Sequence, residues 1–148
     1  MRRPGDRLEV LLAEDNPDEA QLSMMALAEN SLIGNVVHLK DGAQVLDYLF
    51  KEGSFANKPS SYCTQIILLD LKMPKVNGHD VLRRIKSDDK MKKIPVIVFT
   101  SSSEDVDVQE CYKLGVNSYV VKPLQFDQYQ KAINEIGLYW AVLNHPCE

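Results

Sequence analysis

Five short apolar segments punctuate the chain: Val10 to Ala13, Val36 to Leu39, Ile66 to Leu69, Val96 to Phe99, and Ser118 to Val121. Each has the length of a β-strand. The third and fourth are unbroken apolar runs, the pattern of strands covered on both faces of a parallel sheet. The intervening stretches carry helical periodicity. The first helix, Asp18 to about Glu29, follows Asn16-Pro17, an N-cap residue and a proline suited to the first turn; its apolar stripe is read as Leu22, Met25 and Ala26. The second runs from Asp41 to Phe50 with Val45, Leu46 and Leu49 on one face. The third covers about His79 to Ser87 with Val81, Leu82 and Ile85 inward. The fourth, about Glu104 to Leu114, stops at Gly115, a C-cap glycine. In the fifth, Phe126 to Leu143, the residues Phe126, Tyr129, Ile133, Ile136, Trp140 and Leu143 recur at helical steps and predict one inner stripe. Strand and helix thus alternate five times without a repeat, which predicts an α/β, (βα)5 doubly wound parallel five-stranded sheet. Lys51 to Tyr62, rich in Gly, Ser, Asn and Pro, reads as a surface loop.

A length of 148 residues suits one domain: residues 1–7 are read as an N-terminal tail and 8–148 as a domain with an extended C-terminal helix. A net charge of -4 and basic residues spread along the chain argue against nucleic acid as the partner, since binding a phosphate backbone needs a basic face. Cys63, Cys111 and Cys147 are odd in number and lack metal-ligand spacing, as expected of reduced thiols in a cytoplasm. His38, His79 and His145 have no mutual ligand spacing either, so zinc is not expected. Pro4, Gly5 and Asp6 stand where a signal sequence would be apolar, and no stretch approaches the roughly 18 apolar residues of a membrane span. A cytoplasmic protein with no membrane partner is the expectation.

Polar residues collect at the strand ends, where ligands bind in doubly wound sheets. Glu14 and Asp15 close the first strand, Asp70 the third, Thr100 the fourth and Lys122 the fifth. Three acids brought together repel unless a cation is present, and hard oxygen ligands suit Mg²⁺. With the cation in place Asp70 can act as a carboxylate nucleophile toward a phosphoryl group, while Lys122 and Thr100 would stabilise the transferring oxygens.

Glu14-Asp15, then DLKMPKVNG from Asp70 to Gly78, VFTS from Val98 to Ser101 and YVVKP from Tyr119 to Pro123, closely resemble the receiver domains of bacterial two-component response regulators. Spacings of 30 residues from Asp70 to Thr100 and 22 from Thr100 to Lys122 fit that family, and the resemblance spans nearly the whole chain. It implies a flavodoxin-like receiver fold and Asp70 as the phosphoacceptor. Asp15, Asp70 and the backbone carbonyl of Lys72 would bind Mg²⁺, with Glu14 helping through water. Thr100 and Lys122 would respond to the phosphoryl group, and Tyr119 would change rotamer on activation. It further implies a cis Lys122-Pro123 bond and backbone freedom at Gly78. The long loop before the third strand, KKIPVIVFTSS and the aromatic C-terminal helix are similar to phytochrome-associated single-domain regulators. The implied partners are a sensor histidine kinase, of phytochrome type, and a downstream phosphotransfer or effector protein. The chain is expected to be no enzyme beyond its own phosphorylation and dephosphorylation.

Three rival functions share parts of this pattern. A phosphatase of the haloacid dehalogenase type would need a second acid two residues after the nucleophile, where Lys72 stands. A flavin carrier would need a neutral phosphate cradle after the first strand, where EDNPDE is acidic. A phosphorylation-independent interaction protein would not need the intact site. Two surfaces are predicted as well: a kinase-docking patch at Met24 and Leu27, outside the first helix's stripe, and a homodimer interface at Leu138, Tyr139, Ala141 and Val142, apolar residues with no place on the fifth helix's inner face.

Overall fold

The computed structural model describes residues 8–29, 33–53 and 64–143. The expected tail 1–7, most of the loop from Lys51 to Tyr62, Cys63, His145 and Cys147 lie outside the described residues, as do the side chains of Trp140, Ala141, Val142 and Leu143.

Five parallel strands, β1 (Leu8–Ala13), β2 (Ile33–Leu39), β3 (Thr64–Leu69), β4 (Val96–Thr100) and β5 (Ser118–Val121), pair in the order β2-β1-β3-β4-β5. The helices are α1 (Pro17–Ala28), α2 (Gly42–Phe50), α3 (Gly78–Lys86), α4 (Asp105–Lys113) and α5 (Phe126–Leu143). The doubly wound expectation is met. Successive side chains of a strand point to opposite faces, and two cores follow from that alternation. Leu11, Ala13, Ile67, Leu69, Val96 and Val98 meet Val45 and Leu49 of α2, Val81, Leu82 and Ile85 of α3, and Cys111 of α4. Val10, Leu12, Ile66, Leu68, Ile97 and Phe99 meet Ala20, Ala26 and Leu27 of α1 and Tyr129 and Ile133 of α5.

The caps match their sequence signals. Asn16 accepts from the backbone N–H groups of Asp18 and Glu19 with Pro17 in the first turn, and Gly115 follows α4 in the left-handed region at φ +97°.

Two helical stripes differ from expectation. The inner face of α1 is Ala20, Ser23, Ala26 and Leu27, whereas Met25 is exposed and Leu22 and Met24 are half-buried. Leu27 therefore belongs to the core and cannot form a docking patch. The reason lies across the fold: Ser23 shares a 2.9 Å hydrogen bond with the Tyr129 hydroxyl of α5, and small residues let the two helices approach. Phe126 is likewise exposed. As the first residue of α5 it lies beyond the end of β5, beside Pro123 and Leu124, while Tyr129 and Ile133 carry the inner stripe.

At the end of the sheet where the strands begin, the carboxylate of Glu9, 2% exposed, accepts hydrogen bonds from the Tyr48 hydroxyl at 2.8 Å, the Thr64 hydroxyl at 2.7 Å and the Asn35 amide at 3.2 Å. Hydrogen bonds to a charged group contribute more than neutral ones, so Tyr48→Phe is expected to lower the unfolding free energy by about 1.5–3 kcal/mol. Urea unfolding followed by circular dichroism measures it; an unchanged midpoint would show that the bond contributes nothing net.

Candidate functional site

The chain leaves β1 for β2 on one side and reaches β3 on the other, so the sheet's switch point lies between the ends of β1 and β3. Ligands bind doubly wound sheets in the crevice opened at such a point. Glu14 and Asp70 flank it. Glu14 is fixed by its N–H on the Leu39 carbonyl at 3.0 Å, and Asp70 by its N–H on the Ala13 carbonyl at 3.1 Å. His38 Nε2 lies 2.7 Å from the Glu14 carbonyl oxygen. Both acid side chains are buried, while Asp15 is exposed at the rim. One carboxylate oxygen from each of Glu14, Asp15 and Asp70 lies within 4.8 Å of the others.

From the far side β4 and β5 supply the donors. The Thr100 hydroxyl donates to Asp70 Oδ1 at 2.9 Å, and the Lys72 N–H reaches the same oxygen at 3.3 Å. Lys122 Nζ donates to Asp70 Oδ2 at 3.1 Å and to Glu14 Oε1 at 2.5 Å, and lies 3.4 Å from Glu19 Oε1. A backbone bond of 2.7 Å from Lys122 N–H to the Thr100 carbonyl ties the two strand ends together. Burial works to lower the Lys122 pKa, but Glu14 and Asp70 outweigh it and hold the ammonium charge well above its ordinary range. Burial pushes the Glu14 carboxyl up to about 7 against the pull of Lys122. The cleft is a group of acids with one buried cation among the described residues, and it favours further positive charge.

Tyr119 is half-buried, its hydroxyl donating to the Ser102 carbonyl at 2.9 Å. The β4–α4 loop is held from the other side too: the Ser102 hydroxyl donates to Asp107 Oδ2 at 2.5 Å, and His79 Nε2 lies 3.0 Å from Asp107 Oδ1. Bonds from Ser102 first, then from His79, lower the Asp107 pKa against its partial desolvation.

Among the described residues, Glu14, Asp15, Asp70, Thr100 and Lys122 come together at this sheet edge and Tyr119 stands beside the β4–α4 loop, while two backbone expectations are corrected. The Lys122-Pro123 bond is trans, as are all described peptide bonds. The trans form of an X-Pro bond is favoured by about 0.5–1 kcal/mol, and Lys122 reaches both carboxylates from it. Gly78 does not use the left-handed backbone region; it is glycine because a Cβ there would lie 2.5 Å from the Asp70 carbonyl oxygen and from Leu71 Cα. Sequence reasoning missed Glu19 and Ser102. Glu19 lies in the first turn of α1, which starts directly after Asp15-Asn16 at this sheet edge, and that was the available signal; Ser102 accepts from Tyr119 through its carbonyl and donates to Asp107 through its hydroxyl, contacts that no spacing in the sequence marks.

Residues 10–134 match the profile of the response regulator receiver domain. The probable methanogenesis regulatory protein FilR2 of Methanothrix harundinacea is 41% identical over 143 residues, covering 92% of this chain and 89% of that one. The response regulator Rcp1 of Synechocystis is 33% identical, covering 88% and 87%; its Mn(2+)-bound structure superposes with a TM-score of 0.86 over 93% of this chain and 97% of Rcp1. The phosphorylated cyanobacterial phytochrome response regulator RcpA gives a TM-score of 0.88 at 35% identity over 94% of this chain and 97% of RcpA. No helix among the described residues is long and apolar enough to cross a membrane. Sheet order, acid cleft and sequence match agree, and the chain belongs to the response regulator receiver family.

Proposed function

We propose that Asp70 is the phosphoacceptor and that the cleft holds Mg²⁺ through Glu14, Asp15, Asp70 and the backbone carbonyl of Lys72. The observation that carries this reading is the convergence of three carboxylate oxygens within 4.8 Å, one of them buried beside a hydroxyl and an ammonium. Hard anionic oxygens of this kind fit a hard divalent cation, and Rcp1 has been solved with Mn²⁺. When bound, the cation would offset negative charge on the acids and on an incoming phosphoryl group.

The chain's own residues account for the rest. Thr100 and Lys122 orient the Asp70 carboxylate from opposite oxygens. In transfer, an Asp70 oxygen forms a bond to phosphorus while the bond from phosphorus to the donor breaks, releasing imidazole from a phosphohistidine or acetate from acetyl phosphate; the product is a mixed anhydride. Lys122 and Thr100, already aimed at those oxygens, then bond the phosphoryl group. Its pull on Thr100 reaches the loop that Tyr119 holds through Ser102, so Tyr119 is the proposed switch aromatic. Catalysis stays limited to the chain's own phosphorylation and dephosphorylation.

The proposed donor is a sensor histidine kinase of the phytochrome type, on the likeness to Rcp1 and RcpA, and the output is a phosphotransfer or effector partner. Intact-mass measurement after incubation with acetyl phosphate and Mg²⁺ tests the chemistry. One phosphoryl mass is expected, and none in EDTA; equal labelling in EDTA would remove the cation from the account.

A homodimer through α5 is also proposed. Leu138 and Tyr139 are more than half exposed on a helix that is continuous through Gly137. Sedimentation at micromolar concentration should show a dimer that Leu138→Asp/Tyr139→Asp reduces to monomer; a wild type monomeric with and without beryllofluoride would rule the interface out.

A further inference from the structure

The loop from Asp70 to Gly78 is pinned against the start of α2 at a point with no spare room. A Cβ on Gly42 would lie 1.8 Å from the Val76 carbonyl oxygen and 2.6 Å from its carbonyl carbon. These are backbone atoms and cannot swing aside. Gly42 does not use the left-handed region, so close approach alone requires glycine there.

One residue earlier, Asp41 is buried. Its Oδ1 caps α2 by accepting from the Gln44 N–H at 2.8 Å, and its Oδ2 lies 3.6 Å from Lys75 Nζ. Lys75 has φ +69°, and the Val76 N–H donates across it to the Pro74 carbonyl at 2.9 Å. A lysine in a three-residue turn of positive φ is strained and persists only when its surroundings hold it. On the other side, the Gly78 N–H donates to the Leu71 carbonyl at 2.8 Å, closing the loop on itself. The segment so enclosed starts at Leu71, directly after Asp70, and contains Lys72.

We propose that Asp41 and Gly42 are positioning residues for phosphoryl transfer: the start of α2 holds the strained turn at Lys75 and thereby fixes the backbone from Asp70 to Lys72 in the geometry that binds the cation. This rests on the reading of Asp70 as the acceptor in a metal-binding cleft. Neither residue touches the cation or the phosphoryl group. Their effect is on affinity, as with other groups that orient metal ligands.

The test is Mn²⁺ titration of the full chain, read from the electron paramagnetic resonance of the free ion, with unfolding midpoints measured in EDTA. Gly42→Ala is expected to weaken Mn²⁺ binding by about tenfold. Asp41→Asn keeps a capping side chain but loses the charge opposite Lys75, and is expected to weaken binding by about two- to threefold. At saturating metal both should approach the wild-type labelling rate with acetyl phosphate. A role confined to stability would shift the unfolding midpoint and leave Mn²⁺ affinity unchanged, and that result overturns the proposal. If Gly42→Ala does not fold, Asp41→Asn decides. A wild type that binds no Mn²⁺ overturns the cleft reading and this proposal together, whereas tight wild-type binding matched by the variants overturns the positioning role alone.

Discussion

Asp70→Asn is expected to remain folded and to take up phosphoryl groups from acetyl phosphate at least about a thousandfold more slowly than wild type, because removing a nucleophile abolishes the chemical step while leaving binding intact. The substitution is nearly isosteric. The Thr100 hydroxyl can still donate to the remaining oxygen, and Lys122 keeps Glu14 and Glu19. An amide oxygen carries no net charge to offer phosphorus, so the loss is one of chemistry and not of structure. Intact-mass time courses measure it beside circular dichroism. Labelling of Asp70→Asn at the wild-type rate would place the acceptor elsewhere.

Lys122→Ala should have two separable effects. Removing one partner of a buried ion pair leaves an uncompensated charge, with a cost of about 3–5 kcal/mol. Here Lys122 and Glu14 side chains are 5% and 3% exposed, and Glu14, Asp15 and Asp70 would face one another with no buried cation among the described residues. The variant should therefore unfold at much lower urea than wild type in EDTA and recover most of the difference in Mg²⁺, since a cation bound only by the folded state restores stability by mass action. Recovery of stability would not recover signalling. With no ammonium just past the end of β5 to follow the phosphoryl group, beryllofluoride should leave the amide resonances of β5 and the β4–α4 loop unmoved in Lys122→Ala while shifting them in wild type. Equal shifts in both proteins would show that another group couples the site to the loop.

The alternation of buried strands and capped helices was legible because it is local. Ile66 to Leu69 and Val96 to Phe99 announce two-sided burial within one run, and Asn16-Pro17 and Gly115 mark helix ends within a few residues. The site was legible for a related reason: parallel topology carries every strand end to one edge, so Glu14, Asp15, Asp70, Thr100 and Lys122 converge without any contact being known. Features set by distant partners were hidden. Ser23 faces inward on α1 because Tyr129, 106 residues away, bonds it, and this displaced the stripe that Leu22 and Met25 suggested. Glu9 is buried because donors from three other segments reach it. Gly42 and Gly78 look like ordinary loop and helix-start residues until the backbone pressed against each is seen.

One side chain, Asp70, is expected to carry the phosphoryl group, as an acyl phosphate. Borohydride reduction of the protein after phosphorylation, followed by peptide sequencing in a mass spectrometer, reads this directly, because an acyl phosphate, a mixed anhydride, is converted to the corresponding alcohol and phosphate esters are not. The expected result is homoserine at position 70, dependent on Mg²⁺ and confined to that position. Aspartate intact at position 70 in protein that has gained a phosphoryl mass, with the modification found on another residue, would show that Asp70 is not the acceptor.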